Sequence, residues 1–361
     1  MRDIKKILII IQRSNGDVLL SQTLIRALHE HYNSPHIDLL VNDDTLEIAQ
    51  LMPNIDFIHK FSYEKKSKNR WKQELQIICS IYRKYELSIN LTASDRSVFY
   101  SLFASKNSIS AVEKEKSKSW WKVLLLRHHY YFDSNKHIFL NNLESLKKLK
   151  IKKINIIDKP LVSKNSITKV RKMLDERGVT DFVIFHPSAQ YKYKIYPRKL
   201  RNELLIKLSG LDFPVVVTGS KNEIDMDIKS KLPKLSNIFD LIGETSLEDY
   251  FALSELSLGY IGMDTLNMHI AAAQNKQIFA IFGPTNLTMW SPWSNEIKKS
   301  ASENKPIQKY ANITIFQANM PCVACGNAGC DDKHGKSECL DHINPLMVFK
   351  EVNNWLQDTK L

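Results

Sequence analysis

Short apolar runs alternate along this chain with longer stretches whose apolar positions return at helical spacing. Ile4 to Ile11 ends in an unbroken β-branched run, the pattern of a strand buried on both faces. After the loop QRSNGD, Leu20, Leu24 and Leu28 share one face of a helix expected over Val18–Tyr32. Ile37–Val41 reads as a second strand, Leu46–Leu51 as a short helix before Pro53, and Phe57–Phe61 as a third strand. A helix over Trp71–Tyr85 and a strand over Leu87–Leu91 follow. Beyond residue 160 the alternation resumes, with helices expected at Ser166–Arg177, Arg198–Ser209, Asp225–Leu232 and Ser246–Glu255. Between them lie strands at Phe182–Phe185, Phe213–Thr218 and Ile238–Leu241.

The densest instance is Gly259–Asn286. A strand ends at Tyr260 and Ile261, a helix runs from Thr265 to Ala273, and Ile278–Phe282 forms the next strand. Met268, Ala271 and Ala272 mark the buried helix face, and Asp264 and Thr265 are good N-cap residues. Asn344–Leu356 is a last amphipathic helix. Two such alternations predict an α/β chain of two doubly wound domains, residues 1–160 and 161–340, with a C-terminal helix at 341–361. The linker is expected in the polar stretch 150–168, at the Lys159–Pro160 break.

Charge separates the two halves. The chain has 361 residues and a formal charge of +12, and residues 1–165 hold 28 Lys and Arg against 17 Asp and Glu. A basic first half points to an anionic partner there: nucleic acid, a membrane surface or a phosphorylated glycolipid. No run approaches the ~20 apolar residues of a membrane span. The short apolar run at the N-terminus leads directly into a strand, so the protein is expected in the cytoplasm. Residues 112–132 interleave Lys and Arg with Trp120, Trp121, Tyr130 and Tyr131. That segment suits either a membrane interface or a core-packed helix with a solvated lysine face.

Candidate chemistry collects at the ends of strands. Gly16 and Asp17 stand where the first strand turns into a helix; Gly16 permits close backbone approach, and Asp17 can serve as a general base or simply sit well in a first helical turn. The loop is not GxGxxG, which disfavours a dinucleotide site in this half. In the second half, the loops 186–197, 218–225, 243–249 and 262–269 share the sheet edge where open α/β folds bind ligands. Ser188 and either Lys192 or Lys194 can bind phosphate, Glu223 a ribose diol, and the backbone N–H groups around Asp264, Thr265 and Leu266 a diphosphate. Together they favour a nucleotide site. Cys322, Cys325, Cys330 and Cys339 form a C-x2-C-x4-C-x8-C cluster, with His334 nearby in sequence. In a reducing compartment it suits a structural zinc or iron better than disulfides, although its spacing matches no zinc ribbon closely.

The ordered set NGDVLLSQTLIRAL, KIYP, GSKNE, GETSL, MDTLNMHIAAA and IFGPTNLTMWSPW resembles the ADP-heptose:lipopolysaccharide heptosyltransferases of glycosyltransferase family nine. The resemblance spans nearly the whole chain, and the tail CVACGNAGC…ECLDHI is similar to a heptosyltransferase III branch. It implies the GT-B architecture, two Rossmann-like domains facing across a cleft, with the acceptor on the first and the nucleotide sugar on the second. It implies Asp17 as catalytic base, Lys194 on the diphosphate, Glu223 on the ribose, and Asp264, Thr265 and His269 in the donor motif. Arg96 becomes a candidate contact to acceptor phosphate. Two departures stand out. Leu266 and Asn267 occupy positions where the family has Gly, often followed by Pro, and the loop before Pro197 is longer than in some relatives, which keeps Lys192 beside Lys194.

The implied reaction is an inverting transfer of heptose from ADP-heptose to a lipid A–Kdo inner-core acceptor, needing no cofactor, at the inner face of the inner membrane. Alternatives are another nucleotide-sugar donor or a protein acceptor such as an autotransporter. A basic nucleic-acid-binding protein is a remote alternative, because it leaves the Asp, Glu and Lys at the sheet edges of the neutral half unexplained.

Overall fold

The computed structural model describes residues 4–152, 160–211 and 213–359, with the backbone alone for 67–70. The chain divides into two compact units, Met1–Leu161 and Val162–Leu361. The expected linker lies partly on residues 153–159, outside the described residues.

The first unit has six strands: β1 (Lys6–Ile11), β2 (His36–Asn42), β3 (Phe57–Phe61), β4 (Leu87–Asn90), β5 (Ser108–Val112) and β6 (His128–Tyr131). They pair in parallel in the order β3-β2-β1-β4-β5-β6. Around them lie α1 (Asn15–Leu19), α2 (Gln22–His31), α3 (Leu46–Gln50), α4 (Tyr63–Ile81), α5 (Asp95–Ala104), α6 (Lys116–Leu125) and α7 (Ile138–Lys148). β1 and β4 are neighbours although far apart in sequence. The chain builds outward from β1 to one side, then returns to build the other. That reversal leaves a crevice beyond the carboxyl ends of β1 and β4, the place where this fold binds ligands.

The second unit repeats the plan. Its strands are β7 (Val183–His186), β8 (Val215–Val217), β9 (Ile238–Asp240), β10 (Gly259–Met263), β11 (Gln277–Ile281), β12 (Ile307–Tyr310) and β13 (Ile313–Phe316). The order is β12-β13-β11-β10-β7-β8-β9, parallel except for β12 against β13. Its helices are α8 (Lys164–Asp175), α9 (Arg198–Ser209), α10 (Glu223–Ser230), α11 (Leu247–Leu256), α12 (Leu266–Ala273), α13 (Leu287–Trp290) and α14 (Pro345–Asp358). Here the reversal falls between β7 and β10. Val348, Val352 and Leu356 of α14 recur at a spacing of four and share one core with Leu204, Leu205 and Leu208 of α9. Burying each of the three stabilises by roughly 1.5–3 kcal/mol. The C-terminal helix is therefore part of the second unit's core.

The doubly wound α/β expectation holds in both units, with local differences that have causes. The helix expected over Val18–Tyr32 is two helices, because the Ser21 hydroxyl donates to the Val18 carbonyl at 2.7 Å and closes the first one early. β5 hides its strand character behind polar residues: Ser110 is buried and accepts from Asn90 Nδ2 at 2.8 Å. In residues 112–132, Tyr130 is buried and Trp121 half-buried, whereas Trp120, Leu124 and Leu125 are exposed. The core-packed alternative holds for one side of α6, where Trp121 and Val123 pack against Val98, Val112 and Leu126 while Lys116 and Lys118 are solvated. No helix among the described residues is long and apolar enough to cross a membrane.

Gly262 lets β7 and β10 approach closely at their carboxyl ends. It pairs with His186 across the two strands, and a Cβ there would collide with the His186 carbonyl oxygen and lie 2.9 Å from the Tyr260 hydroxyl. Gly262→Ala is expected to cost about 1–3 kcal/mol of overpacking strain, read from urea unfolding. An unchanged midpoint would show that β7 and β10 do not approach this closely.

Candidate active site

The second unit gathers most of the candidate residues at the carboxyl ends of β7, β8 and β10. α12 begins there because Thr265 takes an extended backbone (φ −144°, ψ 176°) and the alanines that follow are strong helix formers. Its hydroxyl does not cap the helix and lies 3.4 Å from the Tyr260 hydroxyl instead. The first N–H groups of α12 therefore receive no bond from the residue placed to cap them. Asp264 is buried just before this helix start, and Lys194 reaches it from the β7 loop, Nζ to Oδ2 at 3.1 Å. Burial alone would lower the Lys194 pKa. The Asp264 carboxylate, through charge and hydrogen bond, outweighs it, so the ammonium titrates above its ordinary value. Lys192, two residues earlier, is exposed. Of the two rival lysines, the fold brings Lys194 to the crevice.

A second knot lies beside it, centred on Asp225, a residue that sequence reasoning took only as a helix start. Asp225 is buried and accepts from the Ser188 hydroxyl, the Ser220 N–H and, at 3.3 Å, Asn222 Nδ2. Its own N–H donates to the Asn222 side chain at 2.8 Å, the N-cap bond of α10. The spacing Asn222…Asp225 is the sequence signal that marks it. Ser188, expected as a phosphate ligand, thus has its proton engaged by Asp225. Glu223 is exposed in the first turn of α10, where a carboxylate suits the helix dipole. His186 was also missed: it ends β7, buried, with Nδ1 3.0 Å from the Thr218 hydroxyl and 3.1 Å from Asn267 Nδ2. Asn267 therefore braces α12 against β7. Leu266 is half-buried at the first helical position, and His269 is buried one turn on.

In the first unit, Asp17 stands at the β1–β4 reversal, buried in α1. Its Oδ2 accepts from the Ser14 hydroxyl at 2.7 Å and the Ser14 N–H at 3.0 Å, and its Oδ1 lies 2.8 Å from Arg13 Nε. The Arg13 guanidinium in turn covers the Phe132 ring at 4.8 Å. The carboxylate is thus both a helix-capping group and one arm of an ion pair, held in a single orientation, with lone pairs remaining on Oδ1. Gly16 is helical and buried beside it. The Arg96 guanidinium lies over the Phe61 ring at 3.8 Å and donates to the Tyr63 hydroxyl at 3.2 Å. A recess of about 390 Å³ between β6 and α7 is lined by Lys114, His129, Lys136 and Lys148 together with Asp133 and Glu144.

The four cysteines lie close enough together for the other three to act on the Cys339 thiol. Among the described residues no three His, Cys, Asp or Glu side chains are arranged to hold a metal ion. Cys322, Cys325 and Cys330 are exposed, whereas Cys339 turns inward with Leu340 into the second unit's core. Cys330 Sγ accepts from the Glu338 N–H at 3.3 Å, and the Asp331 carboxylate holds the turn through Lys333 and Gly335. Burial, then the neighbouring cysteines, push the Cys339 thiol up to about 11, so it stays protonated at neutral pH.

The profile of glycosyltransferase family 9 (heptosyltransferase) matches residues 75–318. Lipopolysaccharide heptosyltransferase 3 of Escherichia coli K12 is 26% identical, over 79% of this chain and 84% of its own length. Among solved structures, E. coli ADP-heptose lps heptosyltransferase II superposes with a TM-score of 0.70 at 19% identity, covering 99% of this chain and 100% of that one. E. coli heptosyltransferase WaaC with ADP gives 0.71 at 13% identity, covering 97% and 99%. Similarity at these identities speaks for a shared fold.

Burial holds the His186 pKa down to about 4 against the opposing pull of Asp225 and of its bond to Thr218. The folded state therefore keeps His186 neutral at pH values where an unfolded chain, with its ordinary value near ~6.5, is protonated. Stability present above pH ~6.5 is lost as the pH falls toward 4, by about 3 kcal/mol. Urea unfolding at pH 7 and 4.5 checks this, and His186→Gln is expected to remove that part of the slope. An equal slope in both proteins would contradict it.

Proposed function

We propose, since the chain belongs to glycosyltransferase family 9, the heptosyltransferases, that this glycosyltransferase moves heptose from ADP-L-glycero-D-manno-heptose to the inner core of lipopolysaccharide. One observation carries the donor half: a lysine held by a buried carboxylate beside an uncapped helix start, at the reversal point of a parallel sheet. Lys194 and the first N–H groups of α12 take the diphosphate, and Glu223 takes the ribose of the nucleoside. The roles follow from charge. As the bond between the anomeric carbon and the diphosphate breaks, negative charge grows on the leaving ADP, and a fixed ammonium and helix N-terminus stabilise it more than they stabilise the bound donor.

The acceptor half belongs to the first unit. Asp17 removes the proton of an acceptor hydroxyl, that oxygen attacks the anomeric carbon from the side opposite ADP, and the configuration inverts. Arg13 and Ser14 hold the carboxylate in place for this. Neither half needs a metal. The acceptor is lipid A–Kdo, which is anionic and lipid-borne, and this suits the basic first unit and places the work at the cytoplasmic face of the inner membrane.

A second reading keeps the reaction and changes the donor. Leu266 favours it, because a side chain stands where glycine would let phosphate approach the backbone. Incubating the purified protein with a panel of nucleotide sugars and lipopolysaccharides truncated at successive core residues decides between them by product mass. Heptose added only from ADP-heptose supports the first reading; another sugar added in its place overturns it.

Asp17→Asn is expected to reduce transfer by about 10²–10⁴-fold while ADP affinity, measured by calorimetry, stays unchanged. Loss of ADP binding along with activity would remove Asp17 from the acceptor side. Lys194→Ala is expected to weaken ADP binding by about 10–100-fold, the worth of a charge-assisted bond, and Lys192→Ala to leave it unaltered. The reverse pattern would reassign the diphosphate contact to Lys192.

A further inference from the structure

Helix α6 packs Trp121 and Val123 on the core yet also buries a lysine and turns apolar side chains outward. Lys122 is wholly buried (0% exposed), its ammonium 2.7 Å from Asp95 Oδ1, 2.8 and 2.9 Å from the two Glu113 oxygens, and donating to the Ala93 carbonyl at 2.8 Å. On the same helix Trp120 and Leu124, one turn apart, are 65% and 75% exposed. Water favours the opposite partition for all three side chains. The exposed apolar side continues on α4, where Ile77 and Ile81 face the interior in the ordinary way but Trp71 and Leu75 are 76% and 60% exposed. Between these helices α5 turns Phe99 outward, stacked on Trp121 with ring centroids 4.7 Å apart. Two Trp–Leu pairs, each at a spacing of four, thus stand on one helical layer with an aromatic ring between them. Soluble proteins rarely leave such a surface to water.

Its charges identify what covers it. Lys72, Lys116, Lys118 and Arg127 are exposed around the apolar residues. Lys118 is paired with Glu115 at 2.5 Å, and Lys122 faces both Asp95 and Glu113, which leaves Lys72, Lys116 and Arg127 as the cations that set the sign of the patch. A second copy of the chain docked by two-fold symmetry would set these cations against themselves. An anionic bilayer meets both features, since tryptophan settles at the headgroup level and lysine reaches lipid phosphate.

We propose that the outer face of α4, α5 and α6 docks on an anionic lipid bilayer through Trp71, Leu75, Trp120 and Leu124. This rests on the reading above, in which the acceptor is lipid-borne, and names the surface that brings the enzyme to it.

The test is flotation of the full-length protein with vesicles that contain no acceptor, either phosphatidylethanolamine with phosphatidylglycerol or phosphatidylcholine alone. The protein is expected to float with the first, less so as salt rises, and not with the second. The variant Trp71→Ser, Leu75→Ser, Trp120→Ser, Leu124→Ser is expected to lose binding on the order of tenfold or more. Its melting temperature and its transfer to a deacylated, water-soluble acceptor should stay unchanged, while transfer to vesicle-embedded acceptor falls. Should that variant not fold, Lys72→Glu with Lys116→Glu and Arg127→Glu is expected to lose flotation instead. Equal flotation of variant and wild type, no flotation of the wild type, or a wild-type dimer that the variant dissociates would each overturn the proposal. Flotation without any heptose transfer would support the docking face and sink the donor and acceptor assignment.

Discussion

The ion pair between Lys194 and Asp264 is the interaction on which the candidate donor site depends. A lysine in this crevice loses hydration, and that loss alone favours the neutral amine. The buried carboxylate 3.1 Å away reverses the balance, so the cation is present before any ligand arrives. A positive group fixed beside a helix N-terminus is the arrangement a leaving diphosphate requires, and little reorganisation is needed when charge develops. The ammonium has three donors, so Lys194 can keep its bond to Asp264 and still donate to a ligand.

What holds the pair in place is a chain of close fits. β7 and β10 meet at His186 and Gly262, so tightly that only the absence of a Cβ at Gly262 allows it. His186 then reaches Thr218 on one side and Asn267 on the other, tying the ends of β7 and β8 to the first turn of α12. Asp225 does the same for the loop after β8, gathering Ser188, Ser220 and Asn222. Buried polar knots of this kind tolerate no partial satisfaction, because each unpaired group carries a desolvation cost.

Much of this architecture was legible in the chain because buried parallel strands write themselves as apolar β-branched runs. β1, β2, β7, β8 and β11 are of that kind. β5 and β6 were not legible: SISAV places serines on a buried strand and satisfies them internally, and HHYY reads as surface. The same blindness affected the site. Asp17, Lys194 and Asp264 could be named from their places at strand ends, but Asp225 and His186 act through partners distant in sequence. Ser188 could be named and its partner could not. Arg96 could likewise be named from its place after β4, but not the two aromatic rings its guanidinium covers. The cysteines were legible as a cluster, but that Cys339 alone of the four is drawn into the apolar core was not.

The claim that Lys194 and the start of α12 receive the diphosphate is tested most directly by a crystal structure of this protein with ADP. The expected result is the β-phosphate within hydrogen-bond distance of Lys194 Nζ and of the N–H groups of Leu266 and Asn267. ADP bound elsewhere, with Lys194 still engaged only by Asp264, would contradict the account.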